Sequence, residues 1–389
     1  MKIAILTSGI LPVPAVQGGA VENLIDFYLE YNNTHRLHDI TVFSAYHPLV
    51  KKHQALHSSS NHYKYIKTNS LWFNIRRIYF RHFCPKGYYY SSIEFFLELV
   101  LRQLKKGAFD IIVIENRPGY ALKLRKWFPQ TPIISHMHTN MLNINISRAK
   151  EMISSTTTFF AVSKYIKKEI ESVGIPTRVV TVYNGLDTSQ FDIKVAPIER
   201  KQLGIKEYDF LVIFTGRLVK DKGIKELLLA MKKLQDKKDI KLLVIGSEDF
   251  SKESEQSSFL SELYQIAEEL EDKIKFTGFV PYNKLASYLA TANVMVVPSH
   301  INEAFGMTCI EASAMGLPII ATNDGGIPEA LIGQKHILID KEQDLPNQIA
   351  NAIETVRNNY TSYMGNQLNP QFTKEVYAKT FFEELSIFN

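Results

Sequence analysis

Short apolar runs alternate with amphipathic stretches along nearly the whole chain, and no other feature restricts the fold so strongly. In the first half the apolar runs are Lys2–Thr7, Asp39–Ser44, 109–114 (FDIIVI), 131–135 (TPIIS), 158–162 (TFFAV) and Arg178–Val182. Helical patterns cover Ala20–Tyr31 and Lys164–Ser172. After a polar stretch at 192–207 the grammar restarts. Tyr208–Thr215, Lys241–Ile245, Lys273–Phe276 and Asn293–Val297 read as strands. Gly223–Lys233, Phe259–Leu270 and Asn283–Ala290 read as helices between them. Strand–helix alternation of this kind indicates a parallel α/β architecture. Two restarts in 389 residues, 45% of them hydrophobic, indicate two doubly wound domains. The expected domains are 1–193 and 194–371, with a last helix near Lys374–Ser386 inside 372–389. Its Val376, Tyr377, Phe381 and Phe382 form an apolar face that has to dock somewhere.

Composition excludes several classes. No run reaches the ~18 apolar residues of a membrane span. MKIAILTSGI reads as a first buried strand, because no small-residue cleavage site follows it and Pro12, Pro14, Gly18 and Gly19 come at once. Cys84 and Cys309 are the only cysteines, which argues against a disulfide framework or structural zinc and fits a reducing cytoplasm. The net charge of +5 divides unevenly: residues 1–195 hold 24 Lys+Arg and 13 Asp+Glu, and the remainder hold 21 and 27. Opposite signs suit two domains with different partners.

The most informative stretch is Ser299–Glu329, SHINEAFGMTCIEASAMGLPIIATNDGGIPE. A strand, a glycine-bearing loop and a helix start make an anion site, because amide N–H groups and the helix dipole face the ligand. Gly306 lets the backbone come close. With a helix starting near Phe305, Glu311 lies nearly two turns in and Glu303 on the loop before it. The pair would hold two parts of one elongated ligand. On spacing alone they are equally well ordinary helix-start acids.

Other candidates lie at expected strand ends. Gly18-Gly19 suits phosphate approach or a plain turn, without dinucleotide or P-loop spacing. Glu115-Asn116-Arg117-Pro118 and the pair His136 and His138 end two strands. No third ligand stands at an obvious spacing from the histidines, so no metal is expected. Arg217 and Lys222 in GRLVKDKG read as a cationic clamp for phosphate, able to neutralise a leaving diphosphate without an ion. Residues 51–93 hold eight Lys/Arg, including Lys64, Lys67, Arg76, Arg77 and Arg81, ten aromatics and no acid. An insertion that docks on an anionic membrane is the preferred reading, against a solvated loop over core aromatics or a nucleic-acid surface.

Taken together, G-R-x-x-x-x-K-G at 216–223, E-A-F-G-x-x-x-x-E-A from Glu303, G-x-P-I-I-A-T and D-G-G-x-x-E resemble the retaining glycosyltransferases of family 4. The match takes in Gly18-Gly19, Val162-Ser163 and Tyr183-Asn184-Gly185-Leu186-Asp187, and is strongest over 208–330. The resemblance implies the GT-B fold, two facing Rossmann-like domains with a cleft between them. The nucleotide sugar would sit on the C-terminal domain and the acceptor on the N-terminal one, with the last helix packed back onto the latter. It implies that Arg217 and Lys222 bind the diphosphate, Glu311 the ribose and Glu303 the sugar. Phe305, Gly306 and Met307 would offer backbone N–H groups, Gly18 and Gly19 would approach the diphosphate, and His138 would lie near the donor sugar. Arg117, Lys64, Lys67, Arg76, Arg77 and Arg81 are left to the acceptor or membrane side.

The implied activity is metal-independent, cofactor-free, retaining transfer of a hexose from a UDP-sugar to a saccharide, expected to be lipid-linked, in surface polysaccharide synthesis. The expected location is cytoplasmic, at the inner face of the cell membrane, with a homo-oligomer possible and no nucleic-acid partner. Two alternatives stay open: a non-catalytic GT-B partner of another transferase, and a sugar-nucleotide epimerase or hydrolase.

Overall fold

In a computed structural model, the described residues are 1–68, 70–83, 91–247 and 258–388. The chain divides into two compact units, residues 1–185 with 374–389, and residues 186–373. The first contains seven strands: β1 (Lys2–Leu6), β2 (Asp39–Ala45), β3 (His62–Ile66), β4 (Ile111–Glu115), β5 (Ile133–Met137), β6 (Thr158–Ala161) and β7 (Arg178–Thr181). Their order is β3-β2-β1-β4-β5-β6-β7, and every pairing is parallel. The second unit contains β8 (Phe210–Thr215), β9 (Ile240–Ile245), β10 (Ile274–Gly278), β11 (Val294–Val297), β12 (Ile319–Thr322) and β13 (His336–Ile339). Their order, β10-β9-β8-β11-β12-β13, is again parallel throughout. Both are doubly wound sheets whose strand order reverses at the first strand, beside which such folds bind ligands at the strands' carboxyl ends.

The boundary lies at 185/186, earlier than the expected 193/194. Leu186 is fully buried and donates its N–H to the Phe372 carbonyl at 2.8 Å. Phe191 is buried and lies 5.2 Å from the Tyr282 ring. These anchors tie the first part of the expected linker to the second unit.

The expectation that 51–93 is an insertion is corrected at two places. HYKYI forms the edge strand β3, with Tyr63 and Tyr65 half-buried and Lys64 exposed. An edge strand with polar alternation gives no continuous apolar run, which hides it in sequence. A helix then spans Leu71–Phe83. The remainder of the stretch at 84–90, including Lys86 and Tyr88–Tyr90, lies outside the described residues, as does Cys84.

Two helices hold the first unit closed. The first, α1 (Ala20–His35), begins after Gly19, whose φ is 108° and where a Cβ would stand 2.2 Å from Glu22 Oε2. The last, α2 (Lys374–Leu385), lies on it through Tyr377, Ala378, Phe381, Phe382 and Leu385, all buried. That spacing makes one stripe along a helix. Phe381 stacks on Tyr28 with ring centroids 4.2 Å apart and planes 2° from parallel. Val376, expected on the docking face, is instead 39% exposed, because it falls outside the stripe. Among the described residues no helix is long and apolar enough to cross a membrane.

Phe381→Ala should therefore destabilise the protein by about 3–5 kcal/mol, whereas Val376→Ser should change stability by less than about 0.5 kcal/mol. Urea unfolding of the intact chain followed by intrinsic fluorescence measures both.

Candidate functional site

In the second unit three strand ends converge. Gly216 and Arg217 follow β8 directly, and residues 220–222 make a single 3-10 turn. Gly223 sits at φ 68°, and a Cβ there would stand 1.8 Å from the carbonyl oxygen of Pro298, just past β11. Only glycine permits that approach. The approach continues with His300 and Ile301, whose N–H groups donate to the Asp221 carbonyl at 2.9 and 3.3 Å. Lys222 is thereby held beside the 299–303 loop.

Its Nζ reaches Glu303 Oε1 at 2.5 Å, and Ser299 Oγ donates to the same oxygen at 2.6 Å. Glu303 keeps 18% side-chain exposure, so the cluster is partly open to solvent. The two expected clamp cations differ. Lys222 is engaged by Glu303, whereas Arg217 is exposed and forms no hydrogen bond or ion pair among the described residues. The 299–303 loop is also fastened to the turn after β12. Lys341 Nζ bonds Asn302 Oδ1 at 2.8 Å and the His300 carbonyl at 3.2 Å, and pairs with Asp324. Gly326 N–H donates to the Glu303 carbonyl at 2.7 Å.

The helix bearing Glu311 spans Met307–Ala314 and starts two residues later than expected. Glu311 is therefore little more than one turn in, not nearly two. Phe305 is buried with its ring edge-on to Phe372 at 5.1 Å, so its side chain belongs to the core and only its backbone can face a ligand. Gly306 and Met307 bring the chain into the helix, where amides lack intrahelical acceptors. Glu311 is buried, and Tyr282 Oη donates to its Oε1 at 3.0 Å. Burial pushes the Glu311 carboxyl up to about 7, with the Tyr282 hydrogen bond opposing it. Neither carboxylate is a solvated helix-start acid: Glu303 is on a loop bonded to Lys222 and Ser299, and Glu311 is inside.

In the first unit Gly18 and Gly19 both have positive φ, and the loop they end is tied to α1 by Ala15 N–H donating to Asp26 Oδ2 at 2.8 Å. Burial raises Glu22 and Asp26 to about 7 each. Across the sheet, the β4–β5 register pairs Glu115 with His136. Glu115 Oε2 lies 2.8 Å from His138 Nε2 and 3.2 Å from His136 Nδ1, while Tyr28 Oη donates to Glu115 Oε1 at 2.9 Å. Burial alone would raise the Glu115 pKa. The two imidazoles overcome it and hold the group at about 2. Burial, then the neighbouring His136, lower His138 to about 4 against the pull of Glu115.

The expectation that the histidines lack a third partner is corrected. Strand pairing delivers Glu115, and one ligating atom from each of the three buried side chains lies within 4.8 Å of the others. The donor set fits a divalent ion, although both Glu115 oxygens already accept hydrogen bonds.

The cations left to the acceptor or membrane side differ in exposure. Lys64, Lys67 and Arg76 are exposed, Arg77 is half-buried, and the Arg81 side chain lies outside the described positions. Arg117 is 8% exposed, with Nη1 against the Asn116 carbonyl and Met141 Sδ. On the helix Leu71–Phe83 the exposed apolar residues are Leu71, Trp72, Ile75, Ile78 and Tyr79, spaced along one face. Ser299, Tyr282, Asp221 and Lys341 join the site without any local signal of their own. Glu248, in the loop after β9, lies outside the described residues.

Comparison with known proteins defines the class. A family model described as Glycosyltransferase Family 4 matches residues 33–190, and one described as Glycosyl transferases group 1 matches residues 195–369. The crystal structure of Anabaena Alr3699/HepE in complex with UDP and glucose superposes with a TM-score of 0.74, at 19% identity over 99% of each chain. Sucrose-phosphate synthase from Thermosynechococcus elongatus gives 0.73 at 19% identity, over 100% of this chain and 98% of the other. The protein is a glycosyltransferase of the GT-B fold. In sequence it is 28% identical over 367 residues to the putative glycosyltransferase YtcC of Bacillus subtilis, covering 91% of this chain and 83% of that protein. It is 27% identical over 224 residues to the lipopolysaccharide 1,2-N-acetylglucosaminetransferase of Salmonella typhimurium, covering 57% of each.

The raised Glu311 pKa carries a stability consequence. Near the ordinary carboxylate pKa, 4.5, the folded protein keeps the proton that the unfolded chain releases. Stability from this group is therefore complete at low pH and declines as pH rises from the ordinary value through about 7. Glu311→Gln removes the decline. Relative to wild type it should gain roughly 2–4 kcal/mol between about pH 5 and pH 8, read from urea midpoints at the two pH values.

Proposed function

We propose that the protein is a retaining, metal-independent transferase that moves a hexose from a UDP-sugar to a saccharide acceptor, lipid-linked, in cell-surface polysaccharide or glycoconjugate synthesis. The observation that carries the donor half of this reading is the contact of Lys222, Glu303 and Ser299 beside the start of the helix that bears Glu311. A mobile ammonium and a helix start suit a diphosphate. A hydrogen-bonding carboxylate suits sugar hydroxyls, and a second, buried carboxylate suits a ribose.

In the donor complex Lys222 would exchange Glu303 for phosphate oxygen, freeing Glu303 for the sugar. Arg217 would supply the second cation, and backbone amides of Phe305, Gly306 and Met307 would complete the anion site. Positive charge held where the diphosphate departs lowers the barrier to its leaving. In the retaining course the acceptor hydroxyl attacks on the face the diphosphate leaves, and a diphosphate oxygen takes its proton. The first unit would take the acceptor, and His138, Gly18 and Gly19 would act on the donor. Support for the sugar-nucleotide class comes from Anabaena HepE, solved with UDP and glucose, and for the surface-polymer setting from a capsular polysaccharide biosynthesis glycosyltransferase of Staphylococcus aureus, 30% identical over 197 residues.

The helix Leu71–Phe83 would bring the protein to the inner face of the cell membrane. Its exposed Leu71, Trp72, Ile75, Ile78 and Tyr79 are apolar or aromatic, and the exposed Arg76 flanks their face. Such a face suits the boundary between acyl chains and anionic headgroups.

A nucleotide-release screen across UDP-, GDP- and dTDP-hexoses, with and without saccharide acceptors, tests the reaction. UDP release that requires an acceptor is expected. Release independent of any acceptor would point to a hydrolase or epimerase, and no turnover with stable co-purification of a second transferase would point to a non-catalytic partner. Lys222→Ala should lower kcat by about 100- to 1,000-fold in a folded protein, and wild-type turnover in that variant would remove the clamp. Liposomes rich in anionic lipid should sediment the protein at low salt and release it as salt screens the attraction. Trp72→Ser with Arg76→Glu should stay in the supernatant.

A further inference from the structure

We propose that Glu115 and Asn116 form a two-point clamp on His138, setting its ring orientation, its tautomer and its place on the loop after β5. Both are positioning residues for glycosyl transfer. The proposal rests on the reading that His138 meets the donor sugar.

The clamp arises from strand register. Glu115 is the last residue of β4 and pairs with His136 on β5. Residues two apart on an extended chain point to the same side, so His138 follows His136 along the row that Glu115 faces. Their rings are 4.1 Å apart. Glu115 Oε2 lies 2.8 Å from His138 Nε2, and Glu115 Oε1 is itself fixed by the Tyr28 hydroxyl at 2.9 Å. Asn116 holds the second point. It has φ 55°, the left-handed region that Asn tolerates better than most residues. In that conformation its N–H still donates to the His136 carbonyl at 2.8 Å. Its side-chain Oδ1 turns to the loop and accepts from the His138 N–H at 3.1 Å and from Thr139 Oγ1 at 3.0 Å. One residue fixes the ring and its neighbour fixes the backbone that carries it.

The chemistry of the bond selects a tautomer. An ionised carboxylate can only accept, so His138 Nε2 carries the hydrogen and Nδ1 keeps its lone pair. Nδ1 is buried and has no hydrogen-bond partner among the described residues. A buried acceptor without a partner costs free energy until something donates to it. A sugar hydroxyl is a donor of the right kind. The competing occupant of the same cluster is a divalent ion held by Glu115, His136 and His138. The hydrogen bonds from Tyr28 and His138 favour the clamp, because they use both carboxylate oxygens without an ion.

The test uses the full chain and three variants. Glu115→Gln replaces the acceptor by an amide that can donate to Nε2 and so selects the opposite tautomer. Asn116→Gly keeps the left-handed backbone and removes Oδ1, while Asn116→Asp retains an acceptor there. The expected result is a fall in kcat of about 10- to 100-fold in Glu115→Gln and about 10-fold in Asn116→Gly, with Asn116→Asp within about threefold of wild type. Affinity for UDP, measured by calorimetry, should change by less than about twofold in all three, because UDP without its sugar does not call on His138.

Wild-type kcat in Glu115→Gln would overturn the clamp, as would Asn116→Asp falling as far as Asn116→Gly. Close to one equivalent of zinc or manganese in the purified wild type, lost in Glu115→Gln, would replace the clamp by a metal site. A wild type that turns over no nucleotide sugar would instead reject the transferase reading on which the clamp rests.

Discussion

Every strand in both sheets is parallel to its neighbours, and the placement of the chemistry follows from that. Parallel pairing needs a crossover after each strand, and the crossovers cover both sheet faces with helices. Buried strand interiors are then left to Ile, Val, Leu and Phe. Polar groups gather where a strand stops and its backbone turns outward. Glu115 ends β4, His136 and His138 end β5, Gly216-Arg217 follows β8, and Ser299 comes just after β11. The same constraint explains the glycines between them. Gly223 lets one crossover pass against the Pro298 carbonyl, and the 221–222 turn and the 299–303 loop then share hydrogen bonds.

Within the second unit the opposing charges offset each other before any ligand arrives. Lys222 and Glu303 are bonded, so neither carries an uncompensated charge. A ligand that offers Lys222 an anion and Glu303 hydrogen-bond donors replaces both partners, so neither group is left buried and unpaired. Glu311 behaves differently. It is buried with one hydroxyl partner, which makes its charge expensive and its proton hard to lose. A ligand that donates two hydroxyl hydrogen bonds to it would stabilise the ionised form. The two carboxylates thus differ in what they gain from a donor: Glu303 exchanges one partner for another, and Glu311 acquires partners it lacks.

Much of the fold was legible because buried parallel strands are continuous apolar runs, as in KIAIL and IIVIE. Among the strands, β3 and β13 (HILI) escaped, and β3 is the one to which this does not apply. HYKYI is an edge strand with polar residues on its open side. The start of the helix that bears Glu311 was placed two residues early because Phe305 is apolar, although its ring serves the core beside Phe372 and not the helix. In the site, residue types at strand ends were readable and contacts were not. Lys222 meets Glu303 across 81 residues, and Glu115 meets His138 across 23. Ser299 and Tyr282 carry no motif. Their importance comes from which carboxylate each one touches.

The last helix joins folding to chemistry in the first unit. Its apolar stripe was readable in sequence, but what lies beneath it was not. Phe381 stacks on Tyr28, and the hydroxyl of that same Tyr28 donates to Glu115. His136 packs beside both Tyr377 and Phe381, at 6.2 and 5.6 Å between ring centroids. The aromatic layer that docks the helix is therefore also the wall against which the Glu115, His136 and His138 cluster is set. A packed core resists small displacements and yields by discrete rearrangement. Loosening of the final helix would thus be felt at His138 through Tyr28 and Glu115, even though the helix does not itself supply a hydrogen bond to either. The chain's last dozen helical residues hold the carboxyl end of its fourth and fifth strands in place.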